Sequence, residues 1–215
     1  AWTTTPWTLP GNVALAVGKH ITYLKVRQGK EVYYLAEDRV EVLRGDYEVL
    51  GEFPGADLVG RRYRPLFSSK VPLIAARAKR GLDIGALTGK KAYYVAAAPF
   101  VTTEDGTGVV HTAVMYGADD YTLGQEIDLP KFHTVDETGH FTDQVPLFAG
   151  ERVREIDPKI VECFRGDNQV QPRVQLLGIV GGPDRRLYLV GQVAEPPFQL
   201  ANQGPLTRLD PALFL

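Results

Sequence analysis

Three consecutive threonines, Thr3, Thr4 and Thr5, follow Trp2 and lead into Pro6-Trp7-Thr8-Leu9, and the stretch leaves through Pro10-Gly11-Asn12. Few backbones suit such a run. In an extended segment Thr3 and Thr5 face one side while Thr4 faces the other. Pro6 fixes its own φ and removes a backbone donor, and Pro10-Gly11-Asn12 is a turn signal. The expected object is a short extended segment carrying hydroxyls and indole edges, with a bent exit. On backbone preference alone it is an edge strand running into a turn.

A second stretch, Gly106 to Tyr121, changes that balance. Its β-branched residues Val109 and Val110 lead to His111 and Thr112, Gly117 permits a sharp turn, and Asp119-Asp120 stand at a helix start. Carboxylates there cap free N–H groups and suit the helix dipole. Alone this is an ordinary strand, turn and capped helix. A carboxylate beside a histidine and hydroxyls is also a place to hold a cationic group of a ligand.

Together the two stretches resemble the editing domain of isoleucyl-tRNA synthetase, a connective-peptide domain inserted into that enzyme's catalytic core. The family's threonine-rich peptide is matched by Trp2 to Asn12. Its second motif, Gly-Thr-Gly-Val-Val-His-Thr-Ala followed by a Gly-X-Asp/Glu-Asp ending, is matched by Gly106 to Ala113 and Gly117 to Asp120. Valyl and leucyl relatives carry Thr-Thr-Arg-Pro at the first site, so Thr5 favours the isoleucyl branch. The match is strong over residues 1–35 and 92–165 and is not visible beyond about residue 166. One departure stands out: where the family usually has Pro after His-Thr-Ala, this chain has Val114, which lacks the fixed φ.

The resemblance implies a function and a set of roles. Valine is one methylene smaller than isoleucine, worth only about 1–3 kcal/mol in a pocket, so a synthetase needs a second site to hydrolyse its mistakes, here expected to be Val-tRNA(Ile) and also valyl-adenylate. Asp120 is expected to bind the α-ammonium of the misattached amino acid. Thr3, Thr4, Thr5 and Thr8 are expected to hold the ester, the terminal ribose and the attacking water. Trp7 and His111 would bound the side-chain pocket, with Asn12 supporting the threonine peptide. Read from the residues alone, Asp120 is a helix cap, His111 a core imidazole and the threonines are strand formers. The implied partners are the 3′ end of tRNA(Ile) carrying valine and the rest of the parent synthetase, an ATP-binding, cytoplasmic enzyme of protein biosynthesis. The alternative is a non-catalytic module that binds the tRNA acceptor end or an amino acid.

The rest of the chain sets bounds. Its 215 residues are enough for a substantial core, and 44% hydrophobic with 23% charged residues are globular values. A net charge of −2 argues against extensive duplex DNA binding. The single Cys163 excludes an internal disulfide, and four scattered histidines give no zinc spacing, so no metal or cofactor is expected. No apolar run is long enough for a membrane span. No Ser-His-Asp or Cys-His constellation is discernible, and none is required to split an already activated ester.

Strands are expected over 13–17, 21–27, 31–35 and 47–53, with a hairpin across Gln28-Gly29-Lys30 and a short helix over 36–44 ended by Gly45. The basic clusters Arg61-Arg62-Tyr63-Arg64 and Arg77–Arg80 are solvated faces or tRNA contacts. Residues 66–91 read as a variable insertion and 92–101 as a buried strand. A helix is expected over 119–128 and a hairpin across Glu137-Thr138. Asp157 with Pro158 reads as the cap and first residue of a last helix, running to about Phe164. Two further strands flank Gly181-Gly182-Pro183-Asp184. The fold class is β-rich α+β, a barrel-like sheet core with peripheral helices, in which 1–165 form the editing domain and 166–215 a divergent C-terminal extension. That extension lacks the acidic, His-containing return expected from the resemblance.

Overall fold

The computed structural model describes residues 1–3, 5–29, 31–67, 81–165, 176–178 and 187–189. The expectation for Thr4 therefore lies outside the described residues. So do the Arg77–Arg80 cluster, residues 68–80 of the 66–91 insertion and the greater part of the tail.

Two sheets carry the fold. The larger has six strands in the order β6-β2-β7-β1-β9-β8, formed by β1 (Trp2–Thr3), β2 (Ala14–Val17), β6 (Tyr94–Ala97), β7 (Val109–Thr112), β8 (Leu176–Gly178) and β9 (Leu187–Leu189). The smaller is β4-β3-β5, from β3 (Thr22–Gln28), β4 (Glu31–Ala36) and β5 (Glu48–Pro54). Neither closes into a barrel among the described residues: the larger is an open mixed sheet and the smaller an open antiparallel one. The helices are peripheral: α1 (Ile84–Thr88), α2 (Ala118–Glu126) and α3 (Val153–Arg165). No helix among the described residues is long and apolar enough to cross a membrane.

The apolar tetrad Ala14-Leu15-Ala16-Val17 is buried throughout, because β2 is covered on both faces and paired on both edges. It runs parallel to β6 and antiparallel to β7, with Leu15 opposite His111. The run at 92–101 is strand only over Tyr94–Ala97. β3 and β4 form the expected hairpin, turning at Gly29 with φ +59°, and β5 pairs on the other side of β3. Tyr23 ties the sheets together: its hydroxyl donates to the Gly108 carbonyl at 2.5 Å and accepts from the Gly18 N–H at 3.1 Å. Gly108 has φ +70°, and a Cβ there would lie 2.5 Å from the Cβ of Ala36, so glycine alone fits where β4 meets the start of β7.

Two local expectations are corrected. From Pro6 onward the threonine peptide is not extended: Pro6–Gly11 is a 3-10 turn containing Pro10. Nor is β1 an edge, since β7 flanks it in parallel and β9 in antiparallel. The last helix does not start at Asp157. It starts at Val153 and carries Pro158 in its interior. Ile156 and Ile160, one turn apart, are both buried in the core, and that packing extends the helix back past the proline.

Candidate functional site

The pairing of β1 with β7 brings the two motifs together. Trp2 stands opposite Val110 in parallel register, which sets the threonine peptide beside His111. The contact that follows is a buried hydrogen bond of 2.9 Å between Thr8 Oγ1 and His111 Nε2, linking positions 103 residues apart.

The hydroxyls form a directed chain. Thr8 Oγ1 donates its only proton to the Thr5 carbonyl at 2.8 Å, so it accepts from His111. His111 is therefore the tautomer with its proton on Nε2. Nδ1 is left as a buried acceptor with no hydrogen-bond partner among the described residues. Burial first, and then the positive charge of the N-terminal ammonium, lower the imidazole pKa from 6.5 to about 4, since a proton added at Nδ1 would be neither solvated nor bonded. The ring is neutral near pH 7.

Thr3 Oγ1 accepts the Thr5 N–H at 3.1 Å. The hydroxyl of Thr5 is held more loosely, 3.5 Å from that of Thr3 and 3.4 Å from that of Thr8. Both distances are long for a bond between hydroxyls. Thr3 and Thr8 are buried, whereas Thr5 is exposed. The group thus has a fixed, buried base and one weakly engaged hydroxyl open to solvent.

Trp7 packs edge-on against Tyr116, with ring centroids 5.1 Å apart. Tyr116 was not singled out from sequence, although it lies inside the second motif. Its hydroxyl bonds Thr134 Oγ1 and accepts the N–H groups of Thr134 and Val135, which fastens the wall behind Trp7 to the 134–135 segment. Asn12 lies beneath the turn rather than among the hydroxyls. Its amide donates to the Ala14 carbonyl at 2.9 Å and its Oδ1 accepts from the buried Tyr63 at 2.6 Å. Tyr63, read as part of a basic cluster, is thus a support for the turn's exit.

Asp120 is placed by β7 and α2. Its Oδ2 accepts the Ala113 N–H at 3.0 Å, two residues past His111, while Asp119 beside it is exposed. Burial raises the Asp120 carboxyl above its ordinary value, the Ala113 N–H opposes that rise, and the charge of Asp119 adds to it. Asp120 bonds the backbone two residues past His111 rather than any described threonine hydroxyl. Among the described residues no cluster of three or more His, Cys, Asp or Glu is arranged to hold a metal ion.

This fold is that of the connective-peptide 1 domain of aminoacyl-tRNA synthetases. The crystal structure of GlLeuRS-CP1, a leucyl-tRNA synthetase connective-peptide domain, superposes with a TM-score of 0.58 at 15% identity, covering 78% of this chain and 79% of that one. In sequence the chain belongs to the isoleucine–tRNA ligase family. It is 47% identical to the isoleucine–tRNA ligase of Clostridium novyi over 166 residues and 44% identical to that of Bacillus thuringiensis over 161. These alignments cover 77% and 74% of the chain but only 14% of each relative, so the chain corresponds to one segment of the ligase. No family model matches it.

Proposed function

We propose that the chain is an editing hydrolase that clears Val-tRNA(Ile) by water attack on the aminoacyl ester, working as part of a cytoplasmic isoleucyl-tRNA synthetase. The observation that carries this reading is the exposed, loosely bonded hydroxyl of Thr5 above the buried Thr3, Thr8 and His111. Such a group can orient a water or a ribose hydroxyl without first breaking a strong bond. The water oxygen adds to the ester carbonyl carbon, the bond to the ribose oxygen breaks, and that oxygen takes up a proton. Valine and a free tRNA 3′ end are released.

The roles divide along the geometry. Thr5, with Thr3, Thr4 and Thr8, positions the water and the ribose. Neutral His111 holds Thr8 in place and, with Trp7, limits the pocket. Asp120 takes the substrate ammonium on the carboxylate surface not engaged by Ala113. His111 is a weak base with its Nε2 proton already given to Thr8, so rate enhancement rests on orientation and on charge stabilisation at the ester. Residues 1–165 carry every group named here and form the editing unit, while from 166–215 β8 and β9 add two strands to its larger sheet. The same reading makes the 3′ end of tRNA(Ile) carrying valine and the remainder of the ligase the partners.

The test is a deacylation assay with Val-tRNA(Ile) and Ile-tRNA(Ile) in parallel, on the chain within its intact ligase. Faster loss of the valyl ester is expected. Equal rates, or binding of the acceptor end with no hydrolysis, would replace the enzyme by a binding module.

A further inference from the structure

The 3-10 turn Pro6–Gly11 begins with an unusual division of labour. Thr5 is its N-cap residue, yet its side chain makes no capping bond. Three amides open the turn. Pro6 has no N–H, and the Thr8 N–H donates to the Thr5 carbonyl at 3.0 Å. The Trp7 N–H is therefore the donor left over. A threonine at the cap position ordinarily accepts such an N–H through its own hydroxyl. Here the Trp7 N–H donates instead to Asp157 Oδ1 at 2.8 Å, from 150 residues away on α3.

From this arrangement we infer that Asp157 is a positioning residue: by capping the threonine turn from another helix, it keeps the Thr5 hydroxyl free for the reaction. The inference rests on the editing reading above. Two features make Asp157 suited to the task. Ile156 and Ile160 are fully buried, so the helix carrying the carboxylate is anchored in the core. A carboxylate accepting an N–H also forms a stronger bond than a hydroxyl would, so Trp7 has no incentive to recapture Thr5. On this inference, the Trp7 N–H of a chain without Asp157 turns to the Thr5 side chain, the usual acceptor at a cap position. Turning the hydroxyl inward to cap the turn removes it from solvent and from substrate.

Two kinds of measurement test this on the full chain. The first needs no activity. In the unaltered chain the Trp7 amide should be protected from hydrogen exchange, and three-bond couplings should place the Thr5 side chain in a non-capping rotamer. In Asp157→Ala the Thr5 rotamer should change while Trp7 stays protected by its new acceptor. In Asp157→Asn, which keeps an acceptor oxygen, the rotamer should not change. The second is kinetic. Asp157→Ala should lower kcat for the valyl ester by about tenfold or more, as expected when one positioned group is lost, with KM within about twofold. Asp157→Asn should recover to within about threefold of the original. Combined with Thr5→Val, Asp157→Ala should cost no more than Thr5→Val alone.

An unchanged Thr5 rotamer in Asp157→Ala overturns the inference, as do additive losses in the double variant. If the unaltered chain hydrolyses neither ester, the editing reading fails, while the rotamer and exchange measurements still decide who caps the turn.

Discussion

Val114 fills the space that Gly124 leaves open: a Cβ on Gly124 would lie 2.7 Å from both methyl groups of Val114. Val114 is buried, and so is Gly124. The valine that stands in place of the family's proline is thus held by packing against α2, the helix that carries Asp120. Gly124→Ala forces the two elements apart and should destabilise the fold by roughly 1–3 kcal/mol. Adding Val114→Ala restores room, so the double variant should be less destabilised than the sum of the single ones in denaturant melts. Strict additivity would show that the contact does not join the two elements.

The proposed function gives Asp120 a second duty beside its bond to Ala113, and substitution can separate the two. Asp120→Ala should abolish valyl-ester hydrolysis and also cost about 1–2 kcal/mol of stability, because the Ala113 N–H loses its acceptor. Asp120→Asn retains an acceptor for Ala113 but loses the charge, so its stability should stay near that of the original while hydrolysis falls. Asp119→Ala should leave hydrolysis largely intact. An active Asp120→Asn would remove the ammonium contact from the proposed mechanism.

The buried imidazole of His111 predicts a particular pH dependence of stability. Its pKa is about 4 in the folded chain against 6.5 as the ordinary value. Between those values the unfolded chain binds a proton that the folded chain refuses, so stability falls as pH drops from about 6.5 to about 4. The loss attributable to His111 should be on the order of 3 kcal/mol, complete below pH 4. The raised pKa of Asp120 acts in the opposite sense, at the acid end of this range. Replacing His111 by Gln should flatten the slope between pH 4.5 and about 6.5 in urea melts; an unaltered slope would assign the dependence to other groups.

Size selection at the same residue has a separate readout. His111→Ala opens room at the end of β7, and should raise hydrolysis of Ile-tRNA(Ile) about tenfold or more relative to the valyl ester, the scale of one methylene. The structure adds a cost: Thr8 loses the donor that fixes it, so absolute rates should fall for both esters. A fall with no change in the Ile:Val ratio would leave His111 as a core residue only.

How much was readable in advance depended on how local the cause was. The β3–β4 hairpin, β7 and α2 follow from alternation, β-branching and a glycine at each turn, all carried within a few residues. The threonine peptide misleads because β-propensity favours extension, whereas Pro6 and Pro10 with an i to i+3 bond favour a 3-10 turn. Asp157-Pro158 has the composition of a helix start, yet Ile156 and Ile160 bury one face of a helix that began a turn earlier. For the site, Thr3, Thr5, Thr8, His111 and Asp120 lie inside two recognisable stretches, and β1–β7 pairing brings those stretches together. Tyr116 lay within the second stretch, and its aromatic ring next to Gly117 was the available signal. Asp157 carried none, because its partner is a backbone N–H 150 residues away.

That separation has a consequence for how the chain comes into being. The three-stranded sheet joins neighbours in sequence and closes its hairpins quickly, whereas the threonine turn is clamped by residues 103 and 150 positions downstream. During synthesis the turn is made before the residues that clamp it, and it is completed only after them. Until residue 157 has emerged and its helix has docked, Trp7 lacks its outside acceptor. A nascent chain that stops short of that point holds the Trp7 amide without its acceptor, so docking of α3 is the step that completes the turn.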